Sequence, residues 1–128
     1  MIQKTAVLLL FISLAISCGC VEPTATTGDV FFVEDDHAGI KGFFKPPQTY
    51  FGDYDVWMEY GKTTAYGAST EISKLSSPLG EEIVFTITNL EPDTTYHYRS
   101  VMAYQKGNAI EYVYGEDRTF RTLESRYN

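Results

Sequence analysis

Past residue 28 this chain never sustains the apolar period of about 3.6 residues that an amphipathic helix needs; apolar residues recur at every second position instead. Ala38, Ile40, Gly42 and Phe44 alternate with Gly39, Lys41 and Phe43, and Val56, Met58 and Tyr60 alternate with Trp57 and Glu59. Ile83, Phe85 and Ile87 alternate with Val84, Thr86 and Thr88. Tyr96, Tyr98, Ser100 and Met102 alternate with His97, Arg99, Val101 and Ala103. Val30–Val33 reads as a first strand and Ile110–Thr122 as a last one, interrupted near Gly115. Turn signals at Asp35-Asp36, Pro46-Pro47, Tyr60-Gly61, Ser77-Pro78, Pro92-Asp93 and Gly107-Asn108 close the runs. About seven short strands within residues 29–123 predict an all-β fold, an antiparallel β-sandwich. Hydrophobic residues make up 44% of the chain, too many for a disordered one. Ten Tyr and eight Phe suit strands.

The only two cysteines, Cys18 and Cys20, lie outside that domain, so its core must hold without an internal disulfide. They end an N-terminal segment in which Lys4 precedes the apolar run Thr5–Ile16. This is the layout of a signal peptide over 1–19, and the run is short for a bilayer span. Ser17-Cys18-Gly19-Cys20 resembles a lipoprotein signal with Cys20 as the lipid anchor; Cys18, after Ala15-Ile16-Ser17, is the second choice. Acyl chains there would hold the protein to a membrane at about 0.8 kcal/mol per buried methylene. Secretion by cleavage nearby is the other reading. Val21–Gly28 is polar and Thr-rich, a tether between anchor and domain, and 124–128 a short tail.

Leu90-Glu91-Pro92-Asp93-Thr94-Thr95-Tyr96 matches the L-x-P-x-T-x-Y pattern of fibronectin type III domains. In such a tyrosine corner the leucine plugs the end of the core and the proline shapes the turn. The tyrosine hydroxyl bonds back to the backbone a few residues upstream. Met58-Glu59-Tyr60-Gly61, Tyr66-Gly67, Tyr96-His97-Tyr98-Arg99 and Thr119-Phe120-Arg121-Thr122 resemble a subgroup found in prokaryotic surface proteins, archaeal or bacterial. The resemblance covers about 38–122 and is poor over Ala68–Gly80. It implies an immunoglobulin-like sandwich with the first, second and fifth strands in one sheet. The Val56, Tyr66, Tyr96 and final strands would form the other. It implies no catalytic activity.

The residue inventory also predicts no enzyme. Glu34-Asp35-Asp36-His37 reads as a solvated turn rather than a metal site, because adjacent side chains seldom converge on one ion. His97 falls on the outward face of its strand. No phosphate loop, nucleophile elbow or His-Glu metal motif is present in the sequence, and no cofactor is expected. With 17 acidic and 10 basic residues the chain carries a net charge of −7, which disfavours nucleic acid.

Two surfaces are candidates for binding. Alternation sends Trp57 and Glu59 outward. If their strand pairs antiparallel with the tyrosine-corner strand, Glu59 lies near Arg99 and Trp57 near Val101, with His97 on the same face. The face is then either an ordinary set of cross-strand pairs or a flat aromatic platform for a sugar ring or a protein. The second candidate is the loop Pro47–Asp55 with Tyr50, Phe51 and Tyr54, at the same end as the hairpin Gln105–Ala109. Phe51 is either displayed there or folded back over the core. The hairpin carries Lys106-Gly107-Asn108, so adhesion through Arg-Gly-Asp has no support. These readings converge on a lipid-anchored surface module that binds an extracellular protein or an envelope glycan. The alternative is an inert spacer or accessory domain of an envelope complex.

Overall fold

The computed structural model describes residues 22–127. The anchor cysteines Cys18 and Cys20, and the signal segment, lie outside the described residues. Among the described residues nine strands run in chain order: β1 Thr24–Val33, β2 Ala38–Lys45, β3 Tyr54–Gly61, β4 Ala68–Ser69, β5 Ser73–Leu75, β6 Glu81–Ile87, β7 Thr95–Lys106, β8 Ala109–Tyr114 and β9 Arg118–Arg121. Among the described residues no helix is long and apolar enough to cross a membrane.

The strands form two antiparallel sheets. One has the order β1-β2-β6. The other has the order β4-β3-β7-β8, with β5 also paired to β3 and β9 to β7. This is the division expected from the sequence, with one correction. Tyr66 is not in a strand: it sits in a turn at φ 60°, and the short β4 follows it. The expected last strand is split into β8 and β9, and the break falls after Tyr114.

Alternation sets the core. Ile40 and Phe44 from β2, Phe85 and Ile87 from β6, Val56 and Met58 from β3, and Tyr98 and Met102 from β7 pack between the sheets. Several of these retain no exposed surface. Burial of one such side chain stabilises the fold by about 1.5–3 kcal/mol. Leu90 closes one end, and Phe120 stacks on Tyr96 with ring centroids 5.7 Å apart. The corner forms as its sequence predicts: the Glu91 N–H donates to the Tyr96 hydroxyl at 2.8 Å. Thr94 Oγ1 donates to the Pro92 carbonyl at 2.8 Å and holds the turn.

The N-terminal boundary differs from the expectation. Residues 24–28 are not a tether: they are the first half of β1, paired with β2 from Thr24↔Lys45 to Thr27↔Gly42. Ala25 and Thr27 face inward. The Ser100 N–H donates to Thr27 Oγ1 at 3.1 Å, and Ser100 Oγ donates to the Thr26 carbonyl at 3.0 Å. Threonine is β-branched, and its hydroxyl can satisfy a buried N–H, so a Thr-rich stretch joins the sheet despite its polarity.

Candidate functional site

The register of β3 against β7 fixes the outer face of the larger sheet. Trp57 pairs with Val101 and Glu59 with Arg99, as the alternation requires. The pairs extend across neighbouring strands. Lys74, Asp55, Ala103 and Tyr112 form one row over β5, β3, β7 and β8. Trp57, Val101 and Tyr114 form the next. Beyond it lie Ser69, Glu59 and Arg99.

The face is not a flat platform. The Trp57 and Tyr112 rings meet at 82° with centroids 6.3 Å apart, so they make a corner. Such an edge-to-face pair contributes about 0.5–1.5 kcal/mol beyond its burial. Aromatic cover on this side is dense enough that Val101, although it points away from the core, is 0% exposed, and Ala103 is 9% exposed. Ala103 carries only a methyl group. A depression of about 300 Å³ opens above it, bordered by Tyr50, Asp53, Asp55, Trp57, Gln105 and Tyr112. Lys74 reaches Asp55 at 3.1 Å along its rim.

The other half of the face is a polar and aromatic network. The Arg99 guanidinium lies between two rings, 4.7 Å from the centroid of Tyr66 and 4.2 Å from that of Tyr114. It also donates to Glu59 at 3.0 Å. The Tyr66 hydroxyl donates to Asp117 at 2.8 Å, and His97 Nδ1 stands 2.9 Å from the other Asp117 oxygen. Burial first, and then the bond to Asp117, push the Tyr66 phenol up to about 12. Partial burial of the Asp117 carboxyl works toward a raised value. The hydrogen bonds from His97 and Tyr66, with the charge of Arg99, outweigh it and hold the group below the ordinary aspartate range.

The loop candidate divides. Phe51 is 86% exposed and does not fold back over the core. Tyr50 is half-buried: its hydroxyl donates to the Asp53 carbonyl at 2.8 Å, and its ring meets Tyr104 edge to face. The Gln105 N–H reaches the Tyr50 hydroxyl at 3.4 Å, so loop and hairpin do share one end. Tyr54 is a correction. It is a core residue at 1% exposure, its hydroxyl donates to the Ser77 carbonyl at 2.8 Å, and it lines no surface. The first residue of β3 was hidden by the two aspartates that flank it.

In the Glu34–His37 turn, His37 Nδ1 lies 2.6 Å from Asp36, while Glu34 pairs with Arg126. Among the described residues no three His, Cys, Asp or Glu converge to hold a metal ion. Sequence reasoning missed Tyr66, Tyr112, Tyr114 and Asp117 as members of the face. The alternation Ile110, Tyr112, Tyr114 carried the signal for two of them.

No family model matches the chain, and no curated protein matches it. Solved structures do. The chain is similar to the sensor domain of the anti-sigma factor RsgI4 from Pseudobacteroides cellulosolvens in three determinations. Its solution structure aligns with a TM-score of 0.63 at 16% identity, over 80% of this chain and 76% of that one. The short form aligns at 0.61 and 18% identity, over 82% and 98%. The long form aligns at 0.59 and 18%, over 83% and 94%. At such identities the likeness shows a common fold: this chain is an all-β antiparallel sandwich of the architecture found in that sensor domain.

Proposed function

We propose that the chain is a lipid-anchored, non-catalytic surface module of fibronectin type III type, which binds an extracellular protein or envelope glycan through the outer face of its larger sheet. The observation that carries this reading is the face itself: Trp57 on β3 and Tyr112 and Tyr114 on β8 share it across β7, and Trp57 and Tyr112 border a depression with mixed aromatic and polar walls. Aromatic rings at a concave site supply contact area with little loss of rotamer freedom. The tyrosine corner and the grouping of β1, β2 and β6 support the type III assignment. The lipobox-like Ser17-Cys18-Gly19-Cys20 supports attachment through Cys20 or, failing that, Cys18, outside the cell. The neighbours being sensor domains favours recognition over passive spacing. The net charge of −7 favours neither nucleic acid nor anionic headgroups as partners.

The test is Trp57 fluorescence with and without envelope extract from the source cell; Trp57 is the single tryptophan and reports on the face directly. A saturable change in emission, and loss of retention on envelope material in Trp57→Ala, is the expected result. Unresponsive emission together with unchanged retention would leave the inert spacer as the better account.

A further inference from the structure

We propose that the depression floored by Ala103 is a groove for a neutral polysaccharide, a chain of pyranose rings with equatorial hydroxyls. The inference rests on the binding-module reading above and names its ligand class.

Shape is the first argument. The row Lys74, Asp55, Ala103, Tyr112 crosses four paired strands, which is about 14 Å at three strand spacings. Its third member is alanine, so the row dips between Asp55 and Tyr112. The result is an open trough rather than a closed pocket, and a trough suits an extended chain.

Chemistry is the second. The Trp57 and Tyr112 rings stand as two sides of a corner. A pyranose with equatorial hydroxyls presents its axial C–H bonds to such rings and its hydroxyls sideways. The hydroxyls need acceptors and donors at the rim. The Asp53 carboxylate and the Tyr112 hydroxyl bond no other side chain or backbone group among the described residues, and both border the trough. Gln105 spends its side-chain N–H on Gly107 at 3.1 Å and keeps its amide oxygen as an acceptor.

Charge is the third. Among the described residues Lys74 is the one cation bordering the trough, and it is already bonded to Asp55 at 3.1 Å. Asp53 adds a further negative charge, so an acidic polysaccharide would meet repulsion.

The purified protein is run in affinity gels that contain soluble neutral β-linked glucan, xylan or mannan, or an acidic polyuronate, and the same polymers are titrated against Trp57 fluorescence. The expected result is retardation by at least one neutral polymer, with a saturable emission change that is insensitive to salt. Trp57→Ala and Ala103→Leu should each weaken it at least tenfold. Ala103→Leu fills the trough while keeping Trp57, and far-UV circular dichroism with a cooperative thermal melt verifies its fold. Binding that survives Ala103→Leu in a folded protein overturns the inference, as does salt-sensitive binding to the polyuronate alone. If no neutral polymer binds but envelope extract still changes Trp57 emission, the polysaccharide inference falls and the binding module stands with a protein partner. If neither binds, both fall.

Discussion

Arg99 on β7 and Glu59 on β3 face each other as a registered pair, with Arg99 Nη2 3.0 Å from Glu59 Oε2. The guanidinium is also stacked between Tyr66 and Tyr114, so it serves as the spacer of the aromatic face as well as half of an ion pair. Lysine would keep the charge and lose the planar stacking. Arg99→Lys is expected to cost about 1 kcal/mol through the lost planar stacking on the two rings, whereas Glu59→Gln, at a partly exposed pair, should cost under about 1 kcal/mol. Urea unfolding of both single variants and the double variant separates the two contributions. A cost for Glu59→Gln as large as that for Arg99→Lys would show that the ion pair, rather than the stacking, dominates.

Tyr66 and Asp117 make stability depend on pH at both ends of the range. Asp117 has a depressed folded value, so its contribution is present above the ordinary aspartate range and is lost as pH falls through the folded value. Tyr66 is raised to about 12, so its contribution is complete below its ordinary value near 10 and is lost as pH rises through 12. Tyr66→Phe should remove the Tyr66 share of the alkaline loss and raise the Asp117 value toward normal, at a cost of about 0.5–1.5 kcal/mol. Phenolate absorbance during alkaline titration, with thermal melts at each pH, checks it. Tyr54, Tyr98 and Tyr104 are also pushed up by burial, so several tyrosines of the wild type should ionise late, and the variant should have one fewer.

The tyrosine corner isolates a single hydrogen bond. Tyr96→Phe leaves the stack on Phe120 in place and removes only the acceptor for the Glu91 N–H. A loss of about 1 kcal/mol is expected, seen as a lower denaturant midpoint with an unchanged slope. A changed slope would mean that the bond also governs compactness of one of the two states.

Much of this architecture is legible in the chain because a period of two leaves little freedom. Once Val56, Met58 and Tyr96, Tyr98 face inward, Trp57 and Glu59 must share the outer face with Val101 and Arg99 if the strands pair, and the observed register makes them partners. The motif around Leu90–Tyr96 fixes the corner by local chemistry. What could not be read depends on contacts far apart in sequence. Asp117 joins the face only because β8 and β9 split and carry it beside His97 and the Tyr66 turn. Residues 24–28 look like a linker because threonine is polar, and only the buried Ser100 shows why they are a strand. The depression at Ala103 is the absence of a side chain, visible only once its row is assembled.

Tyr54 distinguishes core from surface within one loop. Phe51→Ala should leave stability within about 0.5 kcal/mol of wild type, since the ring is 86% exposed. Tyr54→Ala should cost about 3–5 kcal/mol, as for other large core aromatics. Tyr54→Phe, which loses only the bond to the Ser77 carbonyl, should cost about 1 kcal/mol and leave any binding at Trp57 unaltered. Calorimetry gives the order, and equal costs for Phe51→Ala and Tyr54→Ala would contradict the burial assignment.

Gly61 is the point where the Tyr66 turn rests on β3. A methyl group there would stand 1.6 Å from the Tyr66 carbonyl oxygen, and the obstacle is backbone, so no rotamer change relieves it. Gly61→Ala must displace the turn that holds the Tyr66 ring over Arg99 and its hydroxyl on Asp117. Overpacking of this kind costs about 1–3 kcal/mol. The displacement should also free Tyr66, so its phenol should move down toward its ordinary value and the count of late-ionising tyrosines should fall by one. The trough at Ala103 lies at the other end of the face and should keep its Trp57 emission. If Gly61→Ala is destabilised while the number of late-ionising tyrosines is unchanged, the turn has moved with its network intact, and glycine is required there for β3 alone.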